Sequence, residues 1–487
     1  MPSTPSFNLR RLVLSSLFSL ALVGLAIATP TPATVLSRRD DVSGLQSSSR
    51  LTQQQVDGVE GLLNRTALKS WEIGAHLQAL IEFNHPSLSP FSSEDDWADV
   101  SPSTSFSSSD PFPYEVIARA AQIVADKPSN EGQLMPDGSA ADPAAVGPFV
   151  VLAANLTRDG ERLAPWNGTS VTREQAWTAM QGQVRELLEA TPRTQDGAIS
   201  HRVSEVQLWS DFVYMVPPFF AYLGALTSNT TLLQLAYDQA RLYRQYLRAD
   251  SGSGQGLWRH IYVGSGGTSN EADPGLWATG NGWAASGMLR VVATLVNADA
   301  DWEDSFENQA RDLAGWAREI VEASWALPRR NGLLHNYLNE TSTFADASST
   351  ALMIASTYRL AALASEHSEL SSSAPSAQAL STAESAYLTL TSGSGDHISS
   401  SGVLSPVANP MEYSSQLQNV DSDGGGNISP EGEAFILNME AARRDFIQEG
   451  GKVSTDAREV EGGNGTGRTA GSVALASLAL AAVFFLA

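Results

Sequence analysis

The chain contains no cysteine. That excludes disulfide staples, a thiolate nucleophile and structural zinc of the cysteine type. A chain of 487 residues can manage without staples, because it is long enough to bury a large core. Basic residues are also scarce: 30 Lys and Arg stand against 53 Asp and Glu, a formal net charge of −23. No basic face is left to neutralise phosphates, so nucleic-acid binding is set aside. The acidity suits solubility, and an anionic polymer would have to be drawn in by local cations. Strand-like alternation is rare. No metal-ligand cluster, nucleotide loop or Ser/His/Asp spacing stands out, so neither a metal nor a cofactor is expected.

Apolar runs mark both ends. Arg10 and Arg11 precede Leu12 to Ala28, which closes on Ala26-Ile27-Ala28, so residues 1–28 read as a signal peptide. Residues 29–50 follow as a propeptide or linker with a dibasic Arg38-Arg39. Val473 to Ala487 is too short for an ordinary membrane span, and small polar residues precede it. This is the pattern of a GPI-attachment signal over 465–487, with Asn464 as acceptor and 447–464 as linker; a tail-anchor helix is the alternative. Asn64, Asn155, Asn167, Asn229, Asn339, Asn427 and Asn464 head Asn-X-Ser/Thr sequons, which suits passage through the secretory pathway. The expected location is the cell surface or wall, with the outer membrane leaflet reached through a lipid.

Between these signals, apolar residues recur at helical spacing. They predict helices at Gln53 to Phe83, Tyr114 to Asp126, Gly147 to Asn155, Arg173 to Glu189, Phe212 to Leu226 and Thr231 to Leu247. Further helices are predicted at Gly282 to Val296, Trp302 to Ala326, Ala347 to Glu366, Ala383 to Thr391 and from about Pro430 to Phe446. The stretch 87–109, rich in Ser, Pro and Asp, reads as a disordered insertion. Helix, short loop and helix in succession point to an all-α single domain over 51–446, of hairpins closed into a toroid; an open helical solenoid has the same periodicity.

Asp211 stands one turn before Pro217-Pro218, among Trp209, Phe212, Tyr214 and Met215. A carboxyl with such neighbours loses solvation, so its pKa is expected to rise and fit it to donate a proton. Taken alone, an Asp at a helix start is more simply a cap.

The blocks around it carry more. Pro192-Arg-Thr-Gln-Asp-Gly-Ala-Ile-Ser-His-Arg202, Leu208-Trp-Ser-Asp-Phe-Val-Tyr-Met-Val-Pro-Pro-Phe219, Gly256-Leu-Trp-Arg-His260, Leu276-Trp-Ala-Thr-Gly-Asn-Gly-Trp283 and Ser429-Pro-Glu-Gly-Glu-Ala-Phe435 occur in this order. Together they resemble the unsaturated rhamnogalacturonyl and unsaturated glucuronyl hydrolases, glycoside hydrolase families 105 and 88, over roughly Gln53 to Phe446. The resemblance implies an (α/α)6 barrel. It also implies an oligosaccharide substrate carrying a 4,5-unsaturated uronic acid left by a polysaccharide lyase, of rhamnogalacturonan or pectin type. In these families one aspartic acid protonates C4 of the enol ether and then, as carboxylate, helps water attack C5.

Asp211 matches that residue. Asp142, in Asp-Pro-Ala-Ala-Val-Gly-Pro-Phe149, is the candidate for the family's auxiliary Asp, or else begins a helix. His201 and His260 match histidines lining the sugar pocket. Trp258, Trp277 and Trp283 are candidate stacking faces or core fillers, and Asn281 between two glycines is a candidate ligand contact. Where the family typically has Arg, Thr279 stands here, so Arg202 or Arg259 is left to hold the uronate. Two further functions stay open: a conventional cell-wall glycosidase or transglycosidase, and an inactive wall-bound glycan-binding protein.

Overall fold

The computed structural model describes residues 49–92, 97–107, 110–158, 162–166, 169–265, 267, 270–298, 303–392, 397–417 and 428–451. The expected signal peptide, most of the propeptide region and the GPI signal lie outside them, as do Asn167, Asn427 and Asn464. All described residues belong to one compact unit, Leu45–Ala487.

Among the described residues there are twelve α-helices. They are α1 (Gln53–Thr66), α2 (Ser70–Asn84), α3 (Tyr114–Asp126), α4 (Gly147–Leu156), α5 (Arg173–Arg185) and α6 (Phe212–Leu226). Then come α7 (Thr230–Leu247), α8 (Ala278–Asn297), α9 (Glu303–Ala326), α10 (Ala347–Glu366), α11 (Ala377–Thr391) and α12 (Pro430–Gln448). Burial separates them into two layers. In α8 every residue from Ala278 to Val296 is buried, and α6, α10 and α12 are nearly as enclosed, so these line the inside. By contrast α1 buries only Val56, Val59, Leu62 and Leu63, the single stripe of an outer helix.

The inner helices form a closed ring: α6 packs on α8, α8 on α10, α10 on α12 and α12 on α2, with the turn Asp142–Val146 joining α2 to α6. This is the toroid of six helical hairpins; the open solenoid is not what forms. Small residues allow the close approach, since a Cβ at Gly287 of α8 would collide with the Val213 carbonyl of α6. No described helix is long and apolar enough to cross a membrane.

Two expectations need correction. The helix foreseen from Gln53 to Phe83 is two helices, because Glu72 turns back and accepts the amides of Leu68 and Lys69, each at 2.9 Å, starting α2 afresh. The Ser/Pro-rich stretch is also not simply disordered. Leu88, Phe91, Trp97 and Val100 are buried, and the Trp97 indole donates to the Asn297 carbonyl at 3.1 Å and packs on Tyr222 at 5.2 Å. The Arg359 guanidinium lies 4.2 Å from the Phe91 ring centre. The insertion thus covers the end of the ring where α8 finishes. A few apolar anchors among many Ser and Asp are enough for that.

Among the described residues six short strands form three two-stranded antiparallel ribbons: β1 (Arg162–Trp166) with β2 (Thr169–Thr172), β3 (Gln207–Trp209) with β4 (Ile261–Val263), and β5 (Ala408–Asn409) with β6 (Glu412–Gln416). Of the sequons described, Asn64 and Asn339 are exposed and Asn155 and Asn229 half-buried; Asn229 also caps α7. Replacing Trp97 by Ala is expected to cost about 3–5 kcal/mol of unfolding free energy in a denaturant titration. A loosely attached insertion would show almost no change.

Candidate active site

The β3–β4 ribbon decides where Asp211 sits. Trp209 pairs with Ile261, and the Ser210 amide donates to the His260 carbonyl at 2.9 Å, so the residues after β3 and before β4 are brought side by side. Asp211 precedes α6 with helical backbone angles, and its side chain makes no capping bond. The carboxylate instead accepts from Ser210 Oγ at 3.1 Å and faces His260 Nε2 at 3.5 Å, with 15% of the side chain exposed.

His260 is buried between two carboxylates. Its Nδ1 is 3.0 Å from Asp273 Oδ2, which also accepts the Tyr337 hydroxyl at 2.7 Å; Asp273 Oδ1 takes the Gly275 amide at 2.9 Å. Trp277 leans on the imidazole at 4.5 Å and Tyr413 meets it edge-on at 4.5 Å.

A second pair stands beside the first. His201 Nε2 lies 3.4 Å from Asp142 Oδ1, and its ring stacks on Trp209 at 4.8 Å, almost parallel at 7°. The loops that hold this pair are tied by backbone bonds from Ala140 to the His201 carbonyl and from His201 to the Gln207 carbonyl, both 2.7 Å. Trp209 also touches His260 at 5.7 Å, and the Arg202 guanidinium lies 5.9 Å from its ring centre. One indole therefore joins both histidines and a cation.

The electrostatics reverse an expectation. Burial does push the Asp211 pKa up, but the facing His260, with the charge of His201, outweighs it and leaves the carboxyl below its ordinary range. His260 answers in the opposite direction. Burial would lower it, yet Asp211 and then Asp273 favour the imidazolium and raise its pKa.

Of the residues foreseen, the structure gathers Asp142, His201, Arg202, Asp211, His260 and Trp277 around this point. Others serve packing. Trp283 is buried between Tyr214 at 4.2 Å and Phe435 at 4.7 Å. Trp258 is fully enclosed, and Asn281 is consumed in tying loops: its amide donates to the Trp258 and Trp277 carbonyls and its oxygen accepts the Trp258 amide. Thr279 is buried and donates to Asp346 at 3.3 Å. Arg259 is exposed while its neighbours Trp258 and His260 are buried, so backbone alternation turns it to the side opposite His260.

Asp273, Tyr337 and Tyr413 were not foreseen: the first two come from loops and the third from the short strand β6, none of them with a helical periodicity. Glu431 was quoted only as part of a block. It begins α12, accepts the Trp71 indole at 2.9 Å and is fully buried. Burial drives its carboxyl well above the ordinary range, and the charges of Glu72, Asp211 and Asp346 add to this. These interactions also show that the starts of α2, α6, α10 and α12 meet at one end of the ring.

The sequence profile of Glycosyl Hydrolase Family 88 matches residues 167–365, a span that holds His201, Arg202, Asp211, His260, Asp273 and Tyr337 but neither Asp142 nor Glu431. A comparison with curated protein sequences gave no significant match. Among solved structures, one from Klebsiella pneumoniae, described as a possible member of family GH105, is similar at a TM-score of 0.53 and 15% identity, covering 87% of this chain and 99% of that one. A second possible GH105 member, from Salmonella enterica, gives 0.53 and 16% identity over the same shares. These two likenesses concern the fold, and the profile concerns the residues that the β3–β4 ribbon brings together: the chain is a glycoside hydrolase with the six-hairpin fold, similar to family 88 over residues 167–365.

Proposed function

We propose that this glycoside hydrolase removes a 4,5-unsaturated uronic acid from the non-reducing end of lyase-generated oligosaccharides. The observation that carries the reading is the Asp211 carboxylate, which caps no helix, keeps 15% of its side chain exposed and faces His260. Of the other carboxyls nearby, Asp142 faces His201 much as Asp211 faces His260, Asp273 is held by His260 and Tyr337, and Glu431 is buried under the Trp71 indole. A conventional glycosidase needs a second carboxyl free to act across the scissile bond, whereas hydration of an enol ether needs one group that gives and then takes a proton.

The steps balance around that group. A uronate bound beside Asp211 disfavours its charge, so its carboxyl gains a proton. That proton goes to C4, and the C4=C5 electron pair forms the new C–H bond. Water then attacks C5 and yields its proton to the Asp211 carboxylate. The resulting C5 hemiketal opens to a ketone. This leaves a hemiacetal at C1, which expels the rest of the oligosaccharide as an alcohol.

Arg202 is the cation placed to hold the uronate, since it is half-buried at Trp209 whereas Arg259 faces away. A guanidinium grips a carboxylate with two parallel bonds. On this reading Thr279 does not remove the charge the substrate needs; the charge comes from another loop. The chain is also read as exported and held at the cell surface by a lipid, supported by the terminal apolar runs and by exposed sequons at Asn64 and Asn339.

Three outcomes are expected. Asp211→Asn should keep its fold, because no cap is lost, yet slow the loss of enol absorbance from unsaturated oligosaccharides about 100- to 10,000-fold. Normal turnover by this variant, or wild-type activity on saturated glycans alone, would sink the mechanism. Arg202→Ala should raise KM by about tenfold or more with a smaller change in kcat; an unchanged KM removes its role. Phosphatidylinositol-specific phospholipase C should release the protein from intact cells, and retention after treatment would rule out the lipid anchor.

A further inference from the structure

The mechanism above uses Asp211 but gives no task to the groups that fix His260. This imidazole has 1% of its side chain exposed, and Nε2, the nitrogen aimed at Asp211, has no formed hydrogen bond; at 3.5 Å it faces the carboxylate as an ion pair. Its other nitrogen is held by Asp273, which is itself gripped by the Tyr337 hydroxyl and the Gly275 amide. The backbone repeats the grip: His260 donates to the Gly275 carbonyl at 2.9 Å, Ile261 bridges Asp273, and Trp277 bridges Tyr337. A ring needed only to fill space would not require a half-buried carboxylate supported by two donors.

We propose that Asp273 is a positioning residue, steadied by Tyr337, which keeps His260 protonated with Nε2 toward Asp211, so that Asp211 and His260 share one exchangeable proton. This rests on the proposed hydration mechanism. Before substrate binds, the proton is on Nε2 and Asp211 is a carboxylate. When the uronate arrives, the proton passes to Asp211 and leaves a neutral imidazole. Asp211 delivers it to C4 and recovers one from the attacking water. As product leaves, that proton returns to Nε2, and the pair is restored. Closing of the 3.5 Å gap accompanies binding, as hydrogen bonds in unliganded sites often tighten only with substrate.

The surroundings leave the exchange to these groups. Asp211 and Asp273 are the carboxylates against the ring, and both favour its charged form. Tyr337 reaches it only through Asp273, and burial pushes that phenol far up, so it stays a donor. Tyr413 meets the ring edge-on and its phenol is also raised, by burial and then by Asp273, Glu271 and Asp211. Trp209 and Trp277 carry no charge. His201 acts on Asp211 with Trp209 between the two histidines, and burial raises the Glu431 carboxyl well above its ordinary range.

The test follows the proton on His260 by NMR of histidine-labelled wild type, Asp273→Asn and Tyr337→Phe, with His260→Gln to assign the signal. Asn at 273 retains an oxygen for the Gly275 amide, and Tyr337→Phe is a milder change should the first fold poorly. The His260 resonance is expected to titrate above the ordinary histidine range in wild type and to move down in both variants, further in Asp273→Asn. In parallel, the basic limb of kcat/KM should move to lower pH, so that the deficit of Asp273→Asn grows about tenfold between pH 6 and pH 8. An unmoved resonance, or a uniform loss of activity with wild-type pH limbs, would overturn the proposal and leave Asp273 a loop anchor. The titration needs no substrate. If the resonance moves but wild type ignores unsaturated oligosaccharides, the hydration reading fails while the positioning role of Asp273 stands.

Discussion

The pairing of β3 with β4 is the constraint on which the site depends. Three residues on each strand are enough to set Ser210 and His260 in hydrogen-bonding register, and that contact turns an aspartate at a helix start into one that faces an imidazole. What lies beneath is stiff. Phe212 stacks on Tyr243 at 4.2 Å, and the Tyr243 hydroxyl donates to the Ile199 carbonyl, two residues from His201. The first residue of α6 thus braces the loop that carries the second histidine. A site built on ends of regular elements with packed supports holds its geometry better than one on free loops.

The ring's interior follows a related electrostatic logic. Among the described residues, acids stand at the starts of five inner segments: Glu72, Asp142, Asp211, Asp346 and Glu431. Helix starts favour negative charge, yet charges brought together in a buried space repel. The molecule resolves this residue by residue. Glu72 and Asp346 spend their oxygens on amides, Asp142 and Asp211 face histidines, and the Glu431 carboxyl is pushed by burial well above its ordinary range. Deeper in the ring the solution is ionic: Glu82 meets Arg290 at 3.0 Å and Arg359 at 3.2 Å, and these cations hold it below the ordinary range against the opposing effect of burial. Arg359 continues to Asp445, so α2, α8, α10 and α12 share one network that would leave charges unpaired if any member were lost.

Much of the fold was legible in the sequence, because inner and outer helices carry regular apolar spacing. The bounds of α6 and α10 agree with the sequence reading to the residue. The break between α1 and α2 was hidden, since Val56 through Leu80 keep helical spacing while the break depends on Glu72 reaching backward. Composition misjudged residues 87–109 because Ser and Asp dominate it while four buried apolar side chains decide its packing. At the site, the apolar neighbours of Asp211 were visible and suggested a raised pKa. The opposing partner His260 arrives only through the ribbon. Asp273, Tyr337 and Tyr413 are further from view still, as their meeting has no local signature. The Trp-Ala-Thr-Gly-Asn-Gly-Trp block misled in the other direction. Its glycines allow close packing, with Gly280 against Ser210 and Gly282 against Leu352, and its Asn281 holds backbone.

Thr279 shows how that packing and the site's charge are connected. Asp346 already accepts the Ser348 and Ser349 amides, the Ser348 hydroxyl and the Ala408 amide before Thr279 adds its own hydroxyl. With five donors around it, this carboxylate needs no guanidinium to remain buried. A small residue suffices at 279, and α8 can begin tight against Ser210. The cation is then free to stand elsewhere. At Arg202 it rests beside the indole that touches both histidines, so a uronate drawn there would lie near Asp211 and raise its proton affinity as it binds. On the proposed mechanism, substrate charge is both what Arg202 holds and what prepares the acid.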